Sequence, residues 1–135
     1  MLPFLCVSFP VSRSSRGFTL IELLVVMAII ALLLTLALPR YFQATDRAKE
    51  AVLKENLVQM RSAIDQYYAD RGRYPDSLAD LVERKYLRRV PVDPISDSAQ
   101  TWVTVAPESG AEGAVADVRS GAPGTALDGT AYGDW

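Results

Sequence analysis

Residues 18 to 38, FTLIELLVVMAIIALLLTLAL, form an unbroken apolar run of 21 positions relieved only by Thr19, Thr35 and one charge, Glu22. As a helix rising 1.5 Å per residue the run covers roughly 31 Å, about one bilayer hydrocarbon core. The apolar stretch of a secretory signal is usually only about 7 to 15 residues long, so the length favours a membrane span over a removable signal. Arg13 and Arg16 stand just before the run and are expected to stay on the cytoplasmic side, leaving the chain beyond Pro39 outside; Arg40 opposes this weakly. The preceding MLPFLCVSFPV is apolar and interrupted by proline, an odd companion for a short basic leader, and points to translation starting nearer Val11.

Once a span is set aside, the remainder of 135 residues leaves room for one modest soluble domain. Its chemistry is restricted. The chain has no His and a single Cys, Cys6, so Ser/His and Cys/His nucleophiles, intrachain disulfides and Cys/His zinc sites are all excluded. The acidic side chains are spread along surface-like positions, Asp93 before Pro94 reads as a turn residue, and no catalytic residue is expected. The formal charge of −2 comes without a basic stretch long enough to track a phosphate backbone, so nucleic acid is not expected as a partner.

Beyond Pro39 the chain has no Pro or Gly until Gly72, and Leu53, Leu57, Met60, Ile64 and Tyr67 recur at helical spacing along one face. One helix is therefore expected to continue from the span, with a kink at Pro39 and a stop at Gly72. The stripe reads as core packing, with an intersubunit coiled coil as the alternative. Glu50 with Lys54, and Arg61 with Asp65, have the spacing of four-residue ion pairs. SLADLVERKYL predicts a short helix capped by Asp76 or Ser77, with Leu78, Leu81 and Val82 inward. TWVTVA and AVADV predict a small antiparallel hairpin, and RSGAPGTALDGTAYGDW an irregular tail with Trp135 folding back as an apolar plug. The expected fold class is α+β: a long N-terminal helix, half span and half amphipathic, packed on a small C-terminal antiparallel sheet.

Glu22 is the residue that asks for a reason, because a carboxylate within a span costs about 2.5 to 3.5 kcal/mol. Cleavage of the peptide bond before Phe18 would create a free amine at the head of the span, and a neighbouring chain's Glu22 could pair with it in a low-dielectric bundle. Such a pair would fix the axial offset between copies. The plainer alternative is a polar side chain that snorkels to the interface from near the helix end.

With Arg16 before it and the apolar run after it, RGFTLIELLVV resembles the prepilin N-terminal cleavage and methylation motif, dense over residues 16 to 39. The resemblance implies that a prepilin peptidase cuts between Gly17 and Phe18 and methylates the new Phe18 amine, and that Glu22 and Pro39 serve assembly. It also implies a type IV pilin-like fold. YFQATDRAKEAVLKENLVQMRSAIDQYYADRGRYPDSLADLV and the later VPVDP are similar to the major pseudopilin of type II secretion, the general secretion pathway protein G group. ISDSAQTW after Pro94 departs from that group's Trp-Gly-Asn-Pro-Tyr.

The organisation implied by that resemblance has residues 1–17 as a removed leader, 18–39 as a transmembrane helix, 40–72 as a periplasmic amphipathic helix and 73–135 as a small globular region. It implies a single-pass protein of the bacterial inner membrane, N-terminus cytoplasmic and C-terminal region periplasmic. Its partners would be prepilin peptidase, other copies of itself, minor pseudopilins and the inner-membrane assembly platform. The function implied is a structural subunit of a periplasmic pseudopilus that drives protein export, with a type IV pilus major or minor pilin as the alternative. The chain after Gly17 lacks the cysteines of a typical pilin loop disulfide, and at 12 basic against 16 acidic residues it disfavours DNA capture. The group also holds calcium in its C-terminal loop. Here the tail offers Asp117, Asp128 and Asp134 spread among Gly and Ala, whereas calcium takes six to eight oxygens. The expectation is a loop held by turns and by Tyr132 or Trp135, without cofactor, with Asp117 and Asp128 as the calcium candidates.

Overall fold

In the computed structural model, which describes residues 16–135, the chain divides into two units, the first ending at Pro39 and the second running from Arg40 to Trp135. Cys6, Arg13, most of the leader and the suggested start at Val11 lie outside the described residues. α1 spans Leu20–Arg71, 52 residues assigned as helix without interruption through Pro39. Proline removes one backbone donor there, which leaves the Thr35 carbonyl without its usual helical partner. The Thr35 hydroxyl nearby donates to the Leu32 carbonyl at 2.7 Å.

In the first unit Thr19 starts the helix. Its hydroxyl accepts the Glu22 amide at 3.2 Å, satisfying one of the otherwise orphaned first-turn donors, while its carbonyl accepts the Leu23 amide at 3.1 Å as the first helical bond. From Arg16 to Ala44 every side chain is exposed.

The second unit is built on the apolar face of the rest of α1. Leu53, Leu57, Met60, Ile64 and Tyr67 are all buried, as their spacing requires, together with Ala63. They pack against Leu81, Trp102, Val115, Val118 and Tyr132. Burying each large aliphatic side chain contributes about 1.5–3 kcal/mol, so the stripe holds this unit together. α1 stops where the sequence says it must: Gly72 takes φ +68° and its amide donates to the Tyr68 carbonyl at 2.8 Å. α2, Leu78–Glu83, is capped by Ser77, whose hydroxyl accepts the Asp80 amide at 3.3 Å, and it buries Leu81.

β1, Val103–Val105, and β2, Asp117–Arg119, pair antiparallel with Thr104 opposite Val118. Val118 points into the core while its neighbours on the strand do not, the period of two that a half-buried strand imposes. The loop between the strands is stapled to the segment after α1: the Tyr74 amide donates to the Glu112 carbonyl at 2.8 Å, and the Val115 amide to the Pro75 carbonyl at 3.0 Å. A Cβ at Gly113 would collide with the Tyr74 backbone, and one at Gly121 with the Thr101 carbonyl, so glycine is needed at both close approaches. The tail is not wholly irregular. It closes with an isolated bridge between Thr125 and Ala131 and a 3-10 turn over Tyr132–Asp134.

Two expectations about charge are corrected. Glu50 does not pair with Lys54: its Oε1 accepts the Leu127 amide at 2.8 Å and the Tyr132 hydroxyl at 3.1 Å, while the Lys54 ammonium sits 4.4 Å from the Trp135 ring centroid. Arg61 does not pair with Asp65 either. Its Nε meets Asp117 Oδ1 at 2.8 Å and its Nη2 donates to the Val118 carbonyl at 2.9 Å, fastening β2 to α1. In both cases a part-buried partner on another element outcompetes an exposed helical pair that is worth only about 0.2–0.5 kcal/mol.

Candidate functional site

The head of α1 combines three features that local physics does not need to combine. Gly17 and Phe18 precede the helix in exposed, non-regular backbone, and Phe18 is 87% exposed. A Cβ at Gly17 would meet nothing within 4 Å, so the fold itself places no demand for glycine there. Glu22 lies in the first turn, three residues after the Thr19 cap, where a carboxylate is favoured by the partial positive charge of the helix terminus. Thr19 with Glu22 three positions on is the S/T-x-x-E capping pattern, a local signal that weighing Glu22 only by its cost in a span leaves out.

From Leu20 to Leu38 the helix is long and apolar enough to cross a membrane, and none of that surface is covered. A contiguous apolar surface of this size marks a lipid or protein contact. Pro39 closes the stretch inside the helix, exposed, with Arg40, Tyr41 and Phe42 directly after it. The geometry therefore presents an uncovered apolar rod with one carboxylate in its first turn, an arrangement suited to contact with lipid or protein.

The proposed calcium residues are not brought together by the contacts they make. Asp117 is engaged by Arg61, and its Oδ1 also accepts the Val118 amide. Asp128 accepts the Thr130 hydroxyl at 2.6 Å and the Thr130 amide at 2.9 Å, and these bonds hold its carboxyl below the usual carboxylate range. Among the described residues no three acidic, His or Cys side chains gather as a metal site would. The donor set does not fit calcium, because an arginine already neutralises one candidate and a turn occupies the other. Asp93 does begin a turn, with its Oδ1 accepting the Ile95 amide at 2.8 Å, and it is also fully buried, its Oδ2 accepting the Ser120 hydroxyl at 2.7 Å.

Comparison with known proteins bears on the same stretch. The family described as the prokaryotic N-terminal methylation motif matches residues 12–38, which contain Gly17, Phe18 and Glu22. Type II secretion system core protein G of Klebsiella michiganensis is 31% identical over 91% of this chain and 94% of its own length. The protein of the same name from Pseudomonas aeruginosa is 34% identical over 61% of this chain and 69% of its own. The type IV major pilin PilA of Myxococcus xanthus is 39% identical, over 46% of this chain and 28% of that pilin. No solved structure matches the chain.

Proposed function

The chain belongs to the family of type II secretion system core protein G, and from that premise we propose how it works as a structural pseudopilin. The exposed apolar helix Leu20–Leu38 holds the precursor in the inner membrane, with Arg13 and Arg16 on the cytoplasmic side and residues 40–135 in the periplasm. Prepilin peptidase cuts between Gly17 and Phe18 and methylates the Phe18 amine. The inner-membrane assembly platform then adds the cut chain to a filament of its own copies, joined by minor pseudopilins, whose growth drives protein export. The chain itself performs no catalysis and needs no bound metal in this role.

The observation that carries the reading is the capped, uncovered apolar helix with Glu22 in its first turn. Cutting before Phe18 leaves a cation next to a helix N-terminus, where the helix's own partial charge disfavours it. A carboxylate from a neighbouring copy relieves that conflict, and Glu22 of the neighbour relieves its own cost of burial in the same pairing. Copies displaced along the axis leave both charges unpaired, so the pair sets the register. The type IV pilin reading is less well supported, since the likeness reaches only 28% of that pilin but 94% of the core protein G from Klebsiella.

Glu22→Gln tests this directly. The variant should insert at least as well as the wild type, since a charge leaves the span, and should still be cut. Assembly should fail, because stripping one partner from a buried pair costs about 3–5 kcal/mol at each contact. Membrane fractionation, mass spectrometry of the new N-terminus and crosslinking between subunits read the three steps separately. Cut Glu22→Gln protein that polymerises at the wild-type level would refute the register role.

A further inference from the structure

Basic charge in residues 40–135 is concentrated. This part carries 15 acidic and 12 basic side chains, and Arg84, Lys85, Arg88 and Arg89 supply four of the twelve within six residues. All four are exposed, and none forms an ion pair among the described residues, where the pairs are Arg61 with Asp117 and Arg73 with Asp76. Four clustered cations repel one another; Glu55, on the groove beside them, makes no ion pair with them and accepts the Gln59 side-chain amide at 3.3 Å instead. Beside them runs an open groove of about 810 Å³, with Asn56, Gln59 and Ala63 of α1 on one wall and Arg88, Arg89 and Val92 on the other.

The counter-charge lies on the loop between β1 and β2. Glu108 and Glu112 flank Ser109, Gly110 and Ala111, all exposed, in a turn closed by the Ala111 amide donating to the Glu108 carbonyl at 3.3 Å, and neither glutamate has an ion pair among the described residues. The helical wheel puts the two features on opposite flanks of α1. At about 100° per residue, Asn56, Gln59 and Ala63 lie roughly 60 to 120° to one side of the buried stripe centred on Leu53, and Tyr68 lies roughly 60° to the other. Tyr68 stacks on Tyr74 at 4.5 Å between ring centroids, and the Tyr74 amide holds the Glu112 carbonyl. One flank of the subunit is thus basic and grooved, and the other presents an exposed acidic turn.

Two copies related by a twofold axis would face basic against basic or acidic against acidic. Copies standing side by side in the same orientation bring the basic flank of one to the acidic flank of the next, a heterologous contact that does not exhaust itself and propagates into an open helical array. We propose that neighbouring copies of this chain bind laterally in this way, with Arg88 and Arg89 of one engaging Glu108 and Glu112 of the next and the loop tip entering the groove. The inference rests on the filament reading and adds a specific contact to it, outside the apolar helix.

The test uses the full chain expressed with its assembly proteins, with wild-type filament recovery as reference. Arg88→Glu with Arg89→Glu, and separately Glu108→Arg with Glu112→Arg, should each lower recovery about tenfold through like-charge contact, and the four changes combined should restore it to within about twofold. The mature chain has no cysteine of its own, so Arg89→Cys combined with Glu108→Cys should give an oxidised ladder of multimers. Recovery at the wild-type level in both reversed variants overturns the proposal. So does loss that the combined variant fails to rescue without a ladder, or a crosslink from position 89 to a different protein. These outcomes leave the filament reading intact, whereas a wild-type chain that is cut yet never polymerises removes that reading and this inference together.

Discussion

Glu50 and Tyr132 meet across 82 residues of sequence, the tyrosine hydroxyl donating at 3.1 Å to the carboxylate oxygen that also takes the Leu127 amide. The pair ties the tail to α1. Burial, with the adjoining Glu50 carboxylate, pushes the Tyr132 hydroxyl above its ordinary value of 10. The folded state therefore favours the neutral phenol, a preference that stabilises in full below the ordinary value and is lost as pH climbs through the raised one. Tyr132→Phe should melt lower than wild type at neutral pH, and the gap should narrow above pH ~10. Melting curves of the full chain in detergent across that range check it; a gap that stays constant would remove Tyr132 from the alkaline transition.

Gly17 separates processing from folding. Since a Cβ there meets nothing within 4 Å, Gly17→Leu should leave the melting temperature of residues 40–135 unchanged. The same change should block cleavage and leave the precursor in the membrane. Gel mobility and N-terminal mass spectrometry read the outcome, and mature protein beginning at Phe18 from this variant would show that the peptidase does not read the missing side chain.

Gly121 makes the opposite case. A Cβ there runs into the Thr101 carbonyl beside the end of β2, and backbone cannot swing away as a flexible side chain can. Gly121→Ala should cost about 1–3 kcal/mol through overpacking. Chemical denaturation of the full chain in micelles measures this directly, and an unchanged midpoint would mean that the strand pair shifts to make room.

Chelation should do little. With Asp117 held by Arg61 and Asp128 by Thr130, removing calcium should leave the melting temperature where it was. A ligand at a hundred times its dissociation constant adds about 2.7 kcal/mol, and each kcal/mol moves a small domain by about 4–8 °C. A chelator-induced drop of that size, restored by calcium and abolished in Asp128→Ala, would establish a metal role that the arrangement of these side chains does not suggest.

Periodicity carried most of the fold. Leu53 to Tyr67 were legible because burial tracks helical spacing, and Gly72 and Ser77 because helix ends have chemical signatures that act within four residues. The hairpin was legible from two β-prone runs, although the second strand, expected over AVADV, begins only at Asp117 and ends at Arg119. The partners of Glu50 and Arg61 were not legible. Spacing rules score neighbours on one helix, and the winning acceptor and donors came from residues 56 to 82 positions away. The head of α1 reads well from sequence because it is linear, with Gly17, Phe18, Thr19 and Glu22 consecutive or nearly so. The basic and acidic flanks become visible only once α1 is given sides.

The distance between Glu50 and Tyr132 also sets a clock. A ribosome adding about 5–20 residues per second needs about 4–16 s to make the 82 residues that separate them. Within that interval the stripe, complete once Tyr67 is made, waits for Val115, then Val118 and last Tyr132 to cover it. Each newly made subunit therefore passes through a stage with a bare apolar helix face, the stage at which aggregation competes with folding.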